Sequence, residues 1–206
     1  MEQRIYLIDD DRAIRSSLSL LLATVGWQTD AYGSAQLFQQ AADDLSALAG
    51  CMLLDIRMPG KTGLTLLDEW RQQGLTIPVI IMTGHANIDL CRRAFKNGAF
   101  EFLTKPIDAD LLFEAIGAAM EQQKIGQEQQ KKRLLLQARL ATLTARENDI
   151  FETIIKGYSN KEIARQFSLS PRTVEAHRAN IFAKLEVNSL PKLLNTYGEI
   201  TPIKND

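Results

Sequence analysis

Asp9, Asp10 and Asp11 follow the first short apolar run of the sequence, and Asp55 closes the third. Thr83 and Lys105 stand at the ends of the fourth and fifth. If these runs are strands of one parallel sheet, all six residues share its carboxyl edge. Carboxylates gathered there repel one another unless a cation sits among them or protons are taken up. Oxygen-only ligands suit Mg2+, which keeps several waters and accepts one or two carboxylates. A hydroxyl and an ammonium facing a metal-bound carboxylate supply the charge stabilisation a phosphoryl group requires. Each residue also has a plainer reading. Asp9–Asp11 could cap a helix starting near Arg12, Asp55 and Thr83 could be turn residues, and Lys105–Pro106 could be a strand exit. Their common edge favours the phosphoryl-accepting reading.

The elements that must position them are legible as alternating runs. Ile5–Ile8, Gln28–Tyr32, Cys51–Leu54, Val79–Met82 and Phe100–Leu103 read as strands bounded by Gly, Pro or Asp. Helical patterns lie between them, near 12–25, 34–42, 62–73, 86–96 and 108–122. This alternation predicts an α/β fold, a doubly wound five-stranded parallel sheet of the flavodoxin-like kind, over residues 1–120. Right-handed crossovers then place the ligand site at the carboxyl ends of the central strands. Cys51 opens an apolar run and reads as a buried strand residue; with Cys91 it makes neither a disulfide framework nor a zinc set.

Residues 121–141 are rich in Gln and Lys and read as an exposed helical linker, with Gly126 a candidate hinge. A dimerising coiled coil would need three or more clean heptads, which this segment lacks. From 142 to 206 the punctuation is all helical. Thr144 and Glu147 form a capping box for a helix to about Lys156. Ser159 or Asn160 caps a short helix ending near Phe167. Ser170 and Pro171 open the next, to about Leu185, and Asn188–Ser189 cap a last one from Leu190 to about Tyr197. Four short helices form a small all-α domain.

In the helix from Pro171, Val174, Ile181 and Leu185 share one stripe at about 100° per residue and must pack inward. Arg172, Glu175, Ala176, Ala179 and Ala183 lie on the far side. Small alanines there let a helix approach base edges in a major groove. Thr173, Asn180 and Lys184 flank that face and can reach phosphates, as can Lys161 from the preceding helix. His177 sits nearer the core stripe and is either structural or a phosphate contact. Arg178 is also close to the stripe, which argues against a base contact. Glu175 could accept from a cytosine amino group or be a surface carboxylate. Charge agrees in sign only. Residues 1–120 carry ten basic against 15 acidic residues, 121–206 carry 14 against 10, and 142–206 are near neutral at 9 against 8.

The strings LIDDD, LLDIRMPG, IIMTGH and FLTKP, in that order over the first half, resemble the receiver domain of two-component response regulators. The second half resembles the LuxR-type helix-turn-helix of FixJ/NarL-like regulators, in Leu143–Thr144, Glu147, Gly157, Asn160–Lys161, Ile163–Ala164, Ser170, Thr173–Val174, His177 and Lys184–Leu185. The resemblance implies that Asp55 accepts a phosphoryl group from a sensor histidine kinase. It implies Mg2+ bound by Asp10, by Asp9 through water, by Asp55 and by the backbone carbonyl of Arg57. It implies that Thr83 and Lys105 contact the phosphoryl oxygens, that Phe102 is an aromatic switch, and that the Lys105–Pro106 bond is cis. Arg57 and His85 then tune the lifetime of the phosphoryl group, although His85 also reads as a solvated loop residue.

Dimerisation through the 86–117 face, promoter DNA and RNA polymerase as partners, and a cytoplasmic location without membrane attachment complete that expectation. A Mg2+-dependent phosphohydrolase would need a carboxylate two residues beyond Asp55, where Arg57 stands. A small-molecule-sensing regulator would need an apolar pocket in place of an acidic edge.

Overall fold

The computed structural model describes residues 4–198; the outermost ends of the expected domain spans, 1–3 and 199–206, lie outside the described residues. The chain divides into two compact units, Met1–Gly126 and Gln127–Asp206. In the first, strands β1 (Arg4–Ile8), β2 (Thr29–Tyr32), β3 (Gly50–Asp55), β4 (Val79–Thr83) and β5 (Glu101–Thr104) alternate with helices. These are α1 (Arg12–Thr24), α2 (Ala35–Ala41), α3 (Gly63–Gln72), α4 (Ile88–Lys96) and α5 (Ala109–Leu140).

All strand pairs are parallel, in the order β2-β1-β3-β4-β5. The central strands β3 and β4 are buried at every residue. That is why they read as unbroken apolar runs rather than as alternating ones. Successive residues nevertheless serve opposite faces. Met52, Leu54, Val79 and Ile81 pack with Phe38, Leu67 and Trp70 from α2 and α3. Cys51, Leu53, Ile80 and Met82 pack with Leu18, Leu22, Leu112 and Ile116 from α1 and α5. Burial pushes the Cys51 thiol up to about 12, which leaves it inert as a nucleophile. The strand order reverses between β1 and β3, and in such sheets the crevice at the switch point is the ligand address.

α5 is helical from Ala109 to Leu140 without a break at Gly126, where the sequence offered a hinge. Its last turns are not a bare spacer. Leu136 is buried in the core of the second unit, and Leu140 packs against that core. The remaining helices are α6 (Ala145–Ile155), α7 (Asn160–Gln166), α8 (Pro171–Lys184) and α9 (Leu190–Tyr197). Ile150, Phe151, Ile163, Val174, Ile181, Leu185 and Leu193 close the core. Leu193 is thus a core residue, while its neighbour Leu194 is exposed. The buried Tyr197 hydroxyl donates to the Leu185 carbonyl at 3.0 Å and ties the last helix down.

Thr144 caps α6 in a reciprocal capping box with Glu147. Glu147 is buried and also accepts from Lys184 Nζ at 2.5 Å. The Lys184 ammonium first, then the Thr144 backbone N–H, holds the Glu147 carboxyl below its ordinary value. A carboxyl lowered by folding contributes stability that is complete above its unfolded value, near 4.5, and is lost as pH falls below it. Replacing Glu147 by Ala should destabilise the second unit by roughly 1–3 kcal/mol at neutral pH. Thermal melts followed by circular dichroism should show the deficit shrinking as the pH is lowered through 4.

Candidate functional site

The sheet brings the ends of four strands, β1, β3, β4 and β5, to one edge. Asp55 is the last residue of β3, pairing in register with Met82 of β4, and Thr83 closes β4. Lys105 follows β5, and its backbone N–H donates to the Thr83 carbonyl at 2.7 Å. Asp9 and Asp10 follow β1. The carboxylates of Asp9, Asp10 and Asp55 offer oxygens that all lie within 4.8 Å of one another. Lys105 Nζ sits among them, 2.6 Å from Asp9 Oδ2 and 3.0 Å from Asp55 Oδ1. The Lys105–Pro106 peptide is cis.

The three consecutive aspartates have divided their work. Asp9 is fully buried, accepting from Lys105 and, at 2.9 Å, from the backbone N–H of Asp11. Asp10 is exposed at the mouth. Asp11 accepts from Ala13 and Ile14 N–H groups as the N-cap of α1, so the capping reading holds for this one residue. Arg15, which the sequence did not single out, donates to the backbone carbonyls of Asp9 and Asp10 at 2.7 and 2.9 Å. It fixes the loop that presents both carboxylates.

Burial pushes the Asp55 carboxyl above its ordinary value; Lys105 pulls it back, and Asp9 and Asp10 push it up again. For Lys105, burial alone would lower the value. Its hydrogen bonds to Asp9 and Asp55 outweigh burial and hold the ammonium above its ordinary range. A site with one ammonium for three clustered carboxylates is short of positive charge, and an all-oxygen donor set of this spacing fits Mg2+. Thr83 is buried, its Oγ1 accepting from the His85 N–H at 3.3 Å. Phe102 is half-buried and packs on the α3/α4 side of the core. Arg57 is exposed two residues beyond Asp55.

In the second unit, α7 and α8 are joined by a tight turn in which Ser168 takes a left-handed φ of 54°. Arg146 braces it, donating to the Phe167 carbonyl at 2.8 Å with its guanidinium 4.5 Å above the Phe167 ring. α8 packs on α6 and α7. Lys161, Arg172, Glu175, Ala176, Ala179, Asn180 and Lys184 are exposed, while Thr173 and His177 are half-buried. Two of these are already engaged: the Thr173 hydroxyl lies 2.8 Å from Ser170 Oγ, and Lys184 is held by Glu147. Arg178 stacks over Phe182, with 5.7 Å from guanidinium to ring centroid, in line with its place beside the core stripe. Among the described residues, no helix is long and apolar enough to cross a membrane.

A parallel sheet that collects acids and one lysine at its switch point, on the same chain as a helix-turn-helix, defines a two-domain signalling regulator. Comparison with known proteins gives the same class. Residues 5–117 match the response regulator receiver domain, and residues 141–196 match bacterial regulatory proteins of the luxR family. The transcriptional regulatory protein FixJ of Bradyrhizobium diazoefficiens is 41% identical over 190 residues, covering 92% of each chain. The response regulator protein TodT of Pseudomonas putida is 33% identical over 92% of this chain and 83% of its own. Among solved structures, the response regulator StyR superposes with a TM-score of 0.85 at 31% identity, over 97% of this chain and 100% of the other. Full-length FixJ from B. japonicum gives 0.58 at 39% identity, over 96% and 97%. The chain belongs to the two-component response regulator family, as a FixJ-like member with a LuxR-type DNA-binding domain.

A second residue of the site, after Arg15, escaped sequence reasoning. A Cβ on Gly63 would lie 2.3 Å from the Asp55 carbonyl oxygen and 3.0 Å from Ile56 Cα, both backbone atoms. The start of α3 is therefore pressed against the end of β3, with the Gly63 N–H donating to the Ile56 carbonyl at 2.9 Å. Only its place a few residues beyond Met58–Pro59–Gly60 could have hinted at this. Replacing Gly63 by Ala should destabilise the first unit by about 2–3 kcal/mol, read as a lowered urea midpoint by tryptophan fluorescence.

Proposed function

We propose that this response regulator is switched by phosphorylation of Asp55 and, once phosphorylated, dimerises and binds promoter DNA. The observation that carries the reading is the position of Lys105 Nζ. It contacts Asp9 and Asp55 together, beside an exposed Asp10 and the Thr83 strand end. A carboxylate oxygen of Asp55 attacks the phosphorus of a phosphohistidine on a sensor kinase. An O–P bond forms and the N–P bond breaks; the leaving imidazole nitrogen keeps the electron pair, and the ring, already protonated at its other nitrogen, departs neutral. Asp9, Asp10, Asp55 and the Arg57 carbonyl would hold Mg2+, which when bound supplies positive charge to the phosphoryl oxygens. Lys105 and the Thr83 hydroxyl would contact the same oxygens.

When Thr83 turns toward the phosphoryl group, it vacates space into which the half-buried Phe102 ring can move. The 86–117 face is the proposed dimer surface, and the exposure of Ile88 (80%), Phe95 (50%) and Leu111 (55%) supports it. In the second domain, Arg172, Glu175, Ala176 and Ala179 face the major groove. Lys161, Thr173, His177 and Asn180 are the candidate phosphate contacts around it, and Lys184 joins them only by giving up its contact with Glu147. RNA polymerase is the proposed further partner at the promoter, and the cytoplasm the site of action.

The test is incubation of the full chain with Mg2+ and a small phosphodonor, wild type against Asp55→Asn. Wild type should gain the mass of one phosphoryl group, shift toward a dimer and enrich discrete genomic fragments. Asp55→Asn should do none of these. Equal phosphorylation of both proteins would reject Asp55, and phosphorylation without any DNA enrichment would reject the promoter-binding output.

A further inference from the structure

Glu175 is an anionic side chain at the edge of a face proposed to meet a polyanion. It is exposed on α8, and among the described residues no ion pair or hydrogen bond engages its carboxylate. The nearest cations of its own helix are Arg172, one turn before, and Arg178, whose guanidinium stacks over Phe182. It is not a helix cap, since Ser170 fills that role, and it lies about 100° round the helix from the buried Val174, outside the core stripe. Stability of the fold therefore gives no account of a carboxylate here, and contact with phosphates would be repulsive.

We infer that Glu175 is a base-reading residue that selects cytosine in the major groove. The inference rests on the proposed use of α8 as the DNA-reading helix. A desolvated carboxylate accepts hydrogen bonds only, and the major groove offers exocyclic amino donors on cytosine N4 and adenine N6 alone. The two differ in what stands beside the donor. Adenine N6 adjoins the N7 lone pair, which repels a carboxylate oxygen, whereas cytosine N4 adjoins the C5–H edge, which does not. Ala176 and Ala179, exposed on the same face, leave room for the helix backbone to come close enough for a side chain of this length. A G·C pair with its cytosine under Glu175 thus turns an electrostatic penalty into sequence discrimination. Every other pair leaves the carboxylate buried against an acceptor or a methyl group.

The test is selection from a randomised duplex library by the full-length protein, treated with Mg2+ and a small phosphodonor, followed by sequencing. Wild type, Glu175→Ala and Glu175→Gln are compared, with circular dichroism to confirm folding. In each half-site, wild type should show one position with cytosine favoured roughly tenfold over the other bases. Glu175→Ala should lose the preference at that position and keep the rest of the motif. Glu175→Gln should move it toward adenine, whose N6 and N7 together suit an amide. A wild-type motif reproduced unchanged by both variants would overturn this inference and leave the DNA-reading role of α8 standing. Failure of wild type to enrich any sequence would overturn both.

Discussion

The fold is organised around one lysine ammonium held between two buried carboxylates. Taking a single carboxylate out of water costs several kcal/mol, and Asp9 is fully buried while Asp55 is nearly so. Burial of that depth calls for a compensating cation, and Lys105 supplies it from a strand end remote in sequence. That geometry requires β1, β3 and β5 to end level with one another. The parallel register imposes this, running Ile8 beside Leu54, Asp55 beside Met82, and Thr83 beside Thr104. The apolar layers on both faces hold the register, because a one-residue slip would turn Met52 and Leu54 into the places of Cys51 and Leu53. Packing and chemistry are therefore set by the same pairing of strands.

The ion cluster is at the same time left incomplete. One ammonium serves three carboxylates whose oxygens lie within 4.8 Å, and the Asp55 carboxyl is pushed up by its own burial and by the acids beside it. A site with residual negative charge suits a divalent cation, and the proposed phosphoryl transfer to Asp55 would draw on that charge. Structural ion pairs tend to be balanced; this one is not, which favours the proposed reactive role over a scaffold contact. The close approach of Gly63 to the Asp55 carbonyl adds a mechanical constraint, since α3 can start there only where no side chain intervenes.

How much of this could be read from residue order depends on the range of the interaction. Strands and caps are local, and their positions agree with the structure to within a residue or two: Asp55 and Thr83 prove to be the last residues of their strands, and Ser170–Pro171 open α8. The acidic cluster was legible because topology rules convert strand ends into a shared edge. Contacts that depend on side-chain reach were not. Nothing local says that Arg15 turns back to the carbonyls of Asp9 and Asp10, or that Lys184 swings to Glu147 on another helix. Nor does composition reveal that Leu136, inside a Gln- and Lys-rich stretch, belongs to a core: one apolar residue per turn satisfies a helix-to-helix contact without making a visible pattern.

The engagement of Lys184 bears on how the second domain can bind DNA. Its span of 142–206 carries nearly equal numbers of basic and acidic residues, and one of those lysines is neutralised by Glu147. Sequence-independent affinity rises with the number of phosphates neutralised, and here few cations remain to neutralise them. A single domain should therefore bind weakly, and under the proposed dimerisation occupancy at a promoter comes from base contacts and from coupling two copies. Pairing two domains raises the effective concentration of the second once the first is bound, with no new contact to DNA. If Asp55 governs dimerisation as proposed, the near-neutral charge is itself part of that control. A strongly basic domain would bind DNA as a monomer and be indifferent to Asp55, whereas a weak one hands the decision to whatever brings two copies together.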